Sequence, residues 1–384
     1  MRVHVGVCGI GFGHAARAKA VIEDLARRGD EVVATSYAEG LSYLRSRGIN
    51  VVGVQRVDYG RSPDGGVSVR WSLIRGTALP LRVAMQVVQE MAVMDAFGAE
   101  VVLSETRGST VLAAKAMGLP VAVLLNQFRV VVRSERHRTA SSLTNAFADV
   151  VARVWSLADE VLIADYPPPL TISRRNLFFR EVEQDKVAYV GPVLDRYPSE
   201  LPGRREAKEA LGFSPDEPLV LVLNTGPESE RRALRERLIR SLDALSEYQL
   251  VFSLGELGSD RRERRGRHLL VSWLPDENVA IAAADVVISR AGHSTVSKAL
   301  AFGCRLVLVP TPNHSEQLGN AESLSERGAA VVLDLVELSP ETLREAVRRA
   351  LDLEFNTIRR YAELAAERNG RGEVVGRLRA LRGA

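Results

Sequence analysis

Residues 285–310 read DVVISRAGHSTVSKALAFGCRLVLVP. An apolar β-branched run, a glycine-bearing turn, a segment with helical periodicity and a second apolar run follow one another, the order strand, helix, strand of a parallel sheet. The same alternation extends through the second half, with PLVLVLN (218–224), YQLVFSL (248–254), HLLVSW (268–273) and AAVVLD (329–334). It fills the first half too, with VHVGVC (3–8), EVVATS (31–36), NVVGV (50–54), EVVLS (100–104), VAVLL (121–125), EVLIA (160–164) and VAYVG (187–191). Strands apolar on both faces belong to sheets covered by helices on both sides. The sequence therefore predicts an α/β protein of two doubly wound, Rossmann-like domains facing across a cleft, with ligand at the carboxyl ends of the strands. A Pro-, Gly- and charge-rich stretch from residue 191 to 218 separates them, which puts the boundary near residue 195. The domains are then 1–195 and 196–355. The tail from Pro340 onward is helical by periodicity, with no strand left to follow it.

At 384 residues the chain suits two domains, on a prior of roughly 150 residues each. Hydrophobic residues at 46% and charged residues at 26% exclude a disordered or fibrous chain. Fifty-one basic residues against 48 acidic are too balanced for a protein that coats nucleic acid. Lysine occurs only at Lys19, Lys115, Lys186, Lys208 and Lys298, and every other basic residue is arginine. That bias suits the ion-pair networks of a thermophile and equally a GC-rich genome. Cys8 and Cys304 match no metal or redox spacing and fit a reducing compartment. The N-terminus lacks the design of a signal peptide, and no run reaches about 18 apolar residues. The expectation is a cytoplasmic chain, not integral to a membrane.

Three loops carry candidate chemistry. Gly9-Ile10-Gly11-Phe12-Gly13-His14 joins the first strand to a helix, letting the backbone turn tightly and approach a ligand. Its Gly-x-Gly-x-Gly spacing is not that of a dinucleotide fold, and serine at 36 stands where an acidic ribose ligand is expected nearby. His14 could take a proton from an acceptor hydroxyl or only cap the helix. In the second half, Arg290-Ala291-Gly292-His293-Ser294-Thr295 turns into a helix, an arrangement that holds phosphate on backbone N–H groups and hydroxyls. After the next strand, Glu316, Gln317 and Asn320 combine a carboxylate with amides, groups that suit sugar hydroxyls or serve as helix caps. Asn224-Thr225-Gly226-Pro227 could complete the diphosphate cradle. Arg129, Arg133, Arg136 and Arg138, with Phe128 and Val130–Val132, suit a solvated surface or an anionic membrane face. The amphipathic stretch 71–94 could add to that face or serve as a core helix. Arg261, Arg262, Arg264, Arg265 and Arg267 read as a solvated loop.

Residues 272–334 resemble the donor-binding half of GT-B glycosyltransferases of family 28, which includes lipid II N-acetylglucosaminyltransferases and diacylglycerol glycosyltransferases. The likeness rests on Arg290-Ala291-Gly292, Thr295-Val296-Ser297, Gly303-Cys304-Arg305, Pro310, Gln317 and Asn320-Ala321, with Gly11-Phe12-Gly13-His14 and Val190-Gly191-Pro192 in the first half. It implies an inverting, metal-independent transfer of sugar from a nucleotide sugar, a UDP-sugar by preference, to a lipid-linked or small hydroxyl acceptor. No cofactor is implied beyond that substrate. By resemblance, Asn224, Thr225, Gly226 and the turn through Arg290, Gly292, His293, Ser294 and Thr295 bind the nucleotide diphosphate. Trp273 and Leu274 read the base, and Glu316, Gln317 and Asn320 hold the sugar. His14, Gly11, Gly13, Glu105 and Asn126 face the acceptor. The fold also implies that helices from about 356 to 384 return to the first domain, and the acceptor class implies contact with the inner membrane face.

Two positions depart from the family, and Gly303-Cys304-Arg305 in place of its Gly-x-Pro turn is the milder, affecting only the turn. Where the resemblance calls for a glutamate that grips ribose hydroxyls, the chain has Lys298, and an ammonium donates but does not accept. The lysine could reach the phosphates instead, or donor binding could have decayed. Two other readings therefore stand beside the transferase: a nucleotide-sugar epimerase of the same fold, and a non-catalytic sugar-nucleotide binding protein.

Overall fold

The computed structural model describes residues 1–57, 79–129, 148–180, 182–226, 228–256, 259–274, 276–312 and 314–383. The calls on Val130–Val132, Arg133, Arg136, Arg138, Pro227 and residues 71–78 lie outside them. The chain divides into two compact units. One comprises Met1–Thr171, Arg175–Asp195 and Arg368–Ala384, the other Ile172–Arg174 and Arg196–Glu367.

The first unit runs β1 (Arg2–Val7), α1 (Phe12–Arg27), β2 (Glu31–Ser36), α2 (Ala38–Ser46), β3 (Val51–Gly53), α3 (Leu79–Phe97), β4 (Val101–Glu105), α4 (Gly108–Ala116), β5 (Val121–Leu125), β6 (Glu160–Ile163) and β7 (Val187–Tyr189). All neighbours in the sheet order β3-β2-β1-β4-β5-β6-β7 pair in parallel. Every residue of β4 and β5 is buried, as expected of strands covered on both faces. On α1, Ala15, Ala18, Val21, Ile22 and Leu25 recur with the helical period and face the sheet. The strand order reverses between β1 and β4, the place in an open α/β sheet where ligands bind.

The second unit runs α5 (Arg204–Ala210), β8 (Leu219–Leu223), α6 (Glu228–Ser241), β9 (Gln249–Ser253), β10 (Arg262–Arg265), β11 (His268–Val271), α7 (Glu277–Ala283), β12 (Val286–Ser289), α8 (His293–Ala301), β13 (Arg305–Leu308), α9 (Ser315–Ser325), β14 (Ala330–Val332), α10 (Pro340–Leu351) and α11 (Phe355–Glu367). Its order β10-β11-β9-β8-β12-β13-β14 reverses between β8 and β12.

Two expectations need correction. The arginine run before residue 268 is not a loop: Arg262–Arg265 forms the edge strand β10, antiparallel to β11. Glu263 pairs there with Arg261 and Arg265, so a charged ladder blunts the open edge. The tail also parts later than residue 356. Helix α11 buries Ile358, Tyr361 and Ala365 and packs on α8 in the second unit. Only α12 (Gly370–Gly383) joins the first unit, where Val374, Val375 and Leu378 enter the core beside α1. Arg371 Nη1 donates to the Asp195 carbonyl at 2.7 Å. Gly370 lies so close to the carbonyls of Gly191 and Pro192 that any Cβ there would collide with backbone.

Candidate active site

In the first unit the site is built where β1 and β4 diverge. Gly11, at φ +78°, caps α1 without a side-chain bond, and Gly13 and His14 occupy the first turn. Parallel register sets Val7 beside Glu105, so the carboxylate at the end of β4 lies next to the start of α1. His14 Nδ1 is 2.9 Å from Glu105 Oε2. A bare nitrogen lone pair facing a carboxylate at that distance would be repelled, so Nδ1 carries the proton and donates it. In the neutral imidazole Nε2 is then the acceptor. The His14 side chain is 27% exposed while Glu105 is fully buried, so the histidine is the accessible member. Glu105 therefore does not itself face an acceptor, as the resemblance implied. It orients the residue that can.

Arg17, one turn beyond His14 on the same helix face, is also buried. Its Nε donates to Glu105 Oε1 at 2.8 Å, its Nη2 bonds the same carboxylate oxygen, and Nη2 reaches Asn126 Oδ1 at 3.3 Å. Burial alone would raise the Glu105 pKa, but the charge of Arg17, then that of His14 and the bonds from both, outweigh it. The carboxyl is held below the usual range and stays ionised. Thr106, the next residue, adopts φ +51°, a costly conformation for a β-branched side chain. Arg107 then anchors the turn on a buried network. It pairs with Glu90 of α3 and donates to the Thr35 carbonyl at 2.9 Å, while Glu90 also meets His4 Nε2 at 3.1 Å.

In the second unit the site gathers at the ends of β8, β12 and β13. Thr225 and Gly226 are half-buried, and Gly226, at φ +102°, lies against the Arg290 guanidinium, where a methyl would overlap it. Arg231 Nη1 donates to the Gly226 carbonyl at 2.7 Å. Asn224 is buried and donates to the carbonyls of Arg231 and Leu254 at 2.9 Å each, so its amide nitrogen holds the loop. Helix α8 is capped by Gly292 without a side-chain bond and has no acidic residue in its first turn. Ser294 there is exposed, Thr295 half-buried and His293 buried. Before it, Ala291 sits at φ +64°, and Asn320 Nδ2 donates to its carbonyl at 3.0 Å. Asn320 Oδ1 accepts from Ser173 at 3.0 Å. Asn320 is thus committed to the strained turn rather than turned toward a sugar.

The sequence reading missed a hub, Glu230 in the first turn of α6. Its Oε2 receives Arg290 Nη1 at 2.7 Å, Thr311 Oγ1 at 3.0 Å and Gln317 Nε2 at 3.4 Å. Gln317 Oε1 in turn accepts from the Thr311 amide at 2.8 Å, so Gln317 also ties loops together. Burial pushes the Arg290 pKa down, with Glu230 opposing it. Glu316, in the first turn of α9, is half-buried. Lys298 Nζ lies 3.3 Å from Glu277 Oε1, so a carboxylate stands beside the lysine after all, supplied by α7. Just before α7, Trp273 is exposed and Leu274 buried.

Burial pushes the Cys304 thiol up to about 11 and raises Cys8. Arg129 pairs with Asp149 at 3.1 Å. Among the described residues no group of three or more His, Cys, Asp or Glu is placed to hold a metal ion, and no helix is long and apolar enough to cross a membrane.

Known proteins resemble this chain in sequence and in architecture. Residues 228–369 match the glycosyltransferase family 28 C-terminal domain, and residues 1–188 match glycosyl transferase family 1. An uncharacterized glycosyltransferase of Methanopyrus kandleri is 32% identical over 351 residues, 91% of this chain and 96% of that protein. The UDP-N-acetylglucosamine--N-acetylmuramyl-(pentapeptide) pyrophosphoryl-undecaprenol N-acetylglucosamine transferase of Acetivibrio thermocellus is 28% identical over 242 residues, 60% of this chain and 61% of that one. Among solved structures, the glycosyltransferase VinC in complex with DTDP superposes with a TM-score of 0.67 at 17% identity, covering 100% of both chains.

Proposed function

The chain belongs to the glycosyltransferases, with a family 28 C-terminal domain over residues 228–369, and from that membership we propose an inverting transfer in which His14 is the general base. The observation that carries the proposal is the half-exposed His14 held through Nδ1 by the ionised, fully buried Glu105. Nε2 takes the proton of the acceptor hydroxyl as its oxygen attacks the anomeric carbon. The bond from that carbon to the diphosphate breaks, and the nucleoside diphosphate leaves with the electron pair. Glu105 stabilises the imidazolium that forms. In the second unit, the N-terminus of α8 with Ser294 and Thr295, and the Asn224–Gly226 loop, take the diphosphate. Arg290 sets the charge beside that loop. We assign reading of the base to the backbone near Trp273 and Leu274, and contact with the donor sugar to Glu316. Gln317 and Asn320 serve the site by holding its loops.

The donor we infer is a UDP-sugar and the acceptor a lipid-linked or small hydroxyl compound, which makes association with the inner membrane face part of the proposal. The name of one relative supports the donor and acceptor classes, since it carries UDP-N-acetylglucosamine and a pyrophosphoryl-undecaprenol acceptor. The transfer is proposed to need neither cofactor nor metal, which activity in a chelator tests. The main test measures UDP release from UDP-N-acetylglucosamine, with thermal shifts by UDP run in parallel. His14→Ala is expected to abolish release and keep the shift. Full release in that variant would remove the base from His14.

A further inference from the structure

We propose that Arg17 is a positioning residue for this reaction, one that holds the Glu105 carboxylate by Oε1 so that Oε2 is the nearer partner of His14. The inference rests on His14 being the base. Glu105 has two oxygens, and the structure divides them. Arg17 takes Oε1 through both Nε and Nη2, leaving Oε2 as the closer partner of His14 Nδ1 at 2.9 Å, against 3.2 Å for Oε1. Two donors of one guanidinium converge on Oε1, which holds that oxygen more firmly than a single donor would. The grip also reaches across the sheet. Arg17 Nη2 contacts Asn126 at the end of β5, so α1, β4 and β5 are tied at one point. Because Arg17 follows His14 by three residues, the helix that presents the imidazole carries the clamp with it.

The test uses the full chain with Arg17→Gln and Arg17→Lys, read as UDP release from UDP-N-acetylglucosamine. Arg17→Gln is expected to lower kcat about tenfold with KM unchanged, because the carboxylate behind His14 loses both guanidinium donors on Oε1, and Arg17→Lys, which restores the charge and one donor, is expected to recover part of that kcat without reaching the parent's. Melting curves identify any variant that fails to fold, and the lysine variant then carries the test on kcat alone. Full kcat in either folded variant, or a loss confined to KM, overturns the inference. Full activity in His14→Ala overturns instead the reading on which it rests.

Discussion

Replacing Glu230 by alanine should destabilise the second unit far more than an ordinary surface change. The Glu230 and Arg290 side chains are each 7% exposed, and the carboxylate is the acceptor for Thr311 and Gln317 as well. Removing it leaves a guanidinium buried beside Gly226 without its counter-ion. Such a loss costs about 3 to 5 kcal/mol, most of it the penalty for the stranded charge. For a unit of this size each kcal/mol lowers the melting temperature by about 2 to 4 °C, so the expected fall is roughly 6 to 20 °C. Differential scanning calorimetry measures it on the transition that UDP shifts upward, which marks the nucleotide-binding unit. The double change Glu230→Leu with Arg290→Met separates charge from packing. Two apolar groups of similar volume should recover most of the stability without restoring UDP binding. A fall below 2 °C for the single variant, or a double variant no better than the single, would refute the buried-charge argument.

Three other outcomes are expected. Burial raises Glu90, but Arg107, His4 and Thr35 outweigh it and bring the carboxyl from 4.5 to about 2. A depressed folded value stabilises above the unfolded pKa and fades as pH falls from about 4.5 toward 2, here by about 3 kcal/mol. Acid unfolding should show that loss, and Glu90→Gln should be weaker at pH 7 yet flatter below 4.5; an unchanged acid slope contradicts the assignment. Lys298→Glu, which restores the residue the family resemblance calls for, sets a second carboxylate against Glu277, so UDP affinity should fall severalfold by calorimetry. A gain in affinity would show that Glu277 has no bearing on that position. Asn320→Ala frees the strained Ala291 turn, at about 1 to 2 kcal/mol, and should weaken UDP and UDP-N-acetylglucosamine equally, about tenfold. Loss confined to the sugar nucleotide would return Asn320 to the sugar.

What the sequence disclosed and what it concealed divide along a physical line. The Val- and Ile-rich runs marked the parallel strands because a strand covered on both faces has no polar period to blur it. β10 escaped because an edge strand protected by charge, Arg-Glu-Arg-Arg, looks like solvated chain. The glycine loop exposed His14, but its partner lies 91 residues away, and only the register of β1 against β4 makes them neighbours. Arg17 was within reach of helical spacing, since residues three apart share a face, yet nothing in the sequence tells a buried arginine from the many exposed ones. Glu230 was hidden more deeply. It sits in ESERRALRERLIRS, a segment that reads as solvent-facing all round, and it is buried because loops from β12 and β13 close over one turn of that helix. Gln317 and Asn320 show the complementary limit. Sequence located them at strand ends, where ligand groups collect, but residue type does not distinguish an amide that meets a sugar from one that supports the loop beneath it. That distinction is one of partners, and the turn at Ala291 supplies it: a non-glycine residue at φ +64° requires a holder, and Asn320 is that holder. The strain at Ala291 and Thr106 therefore separates the two roles. The groups that meet substrate are sought beside these turns, and the buried polar residues bonded to them are the support that keeps the turns in place.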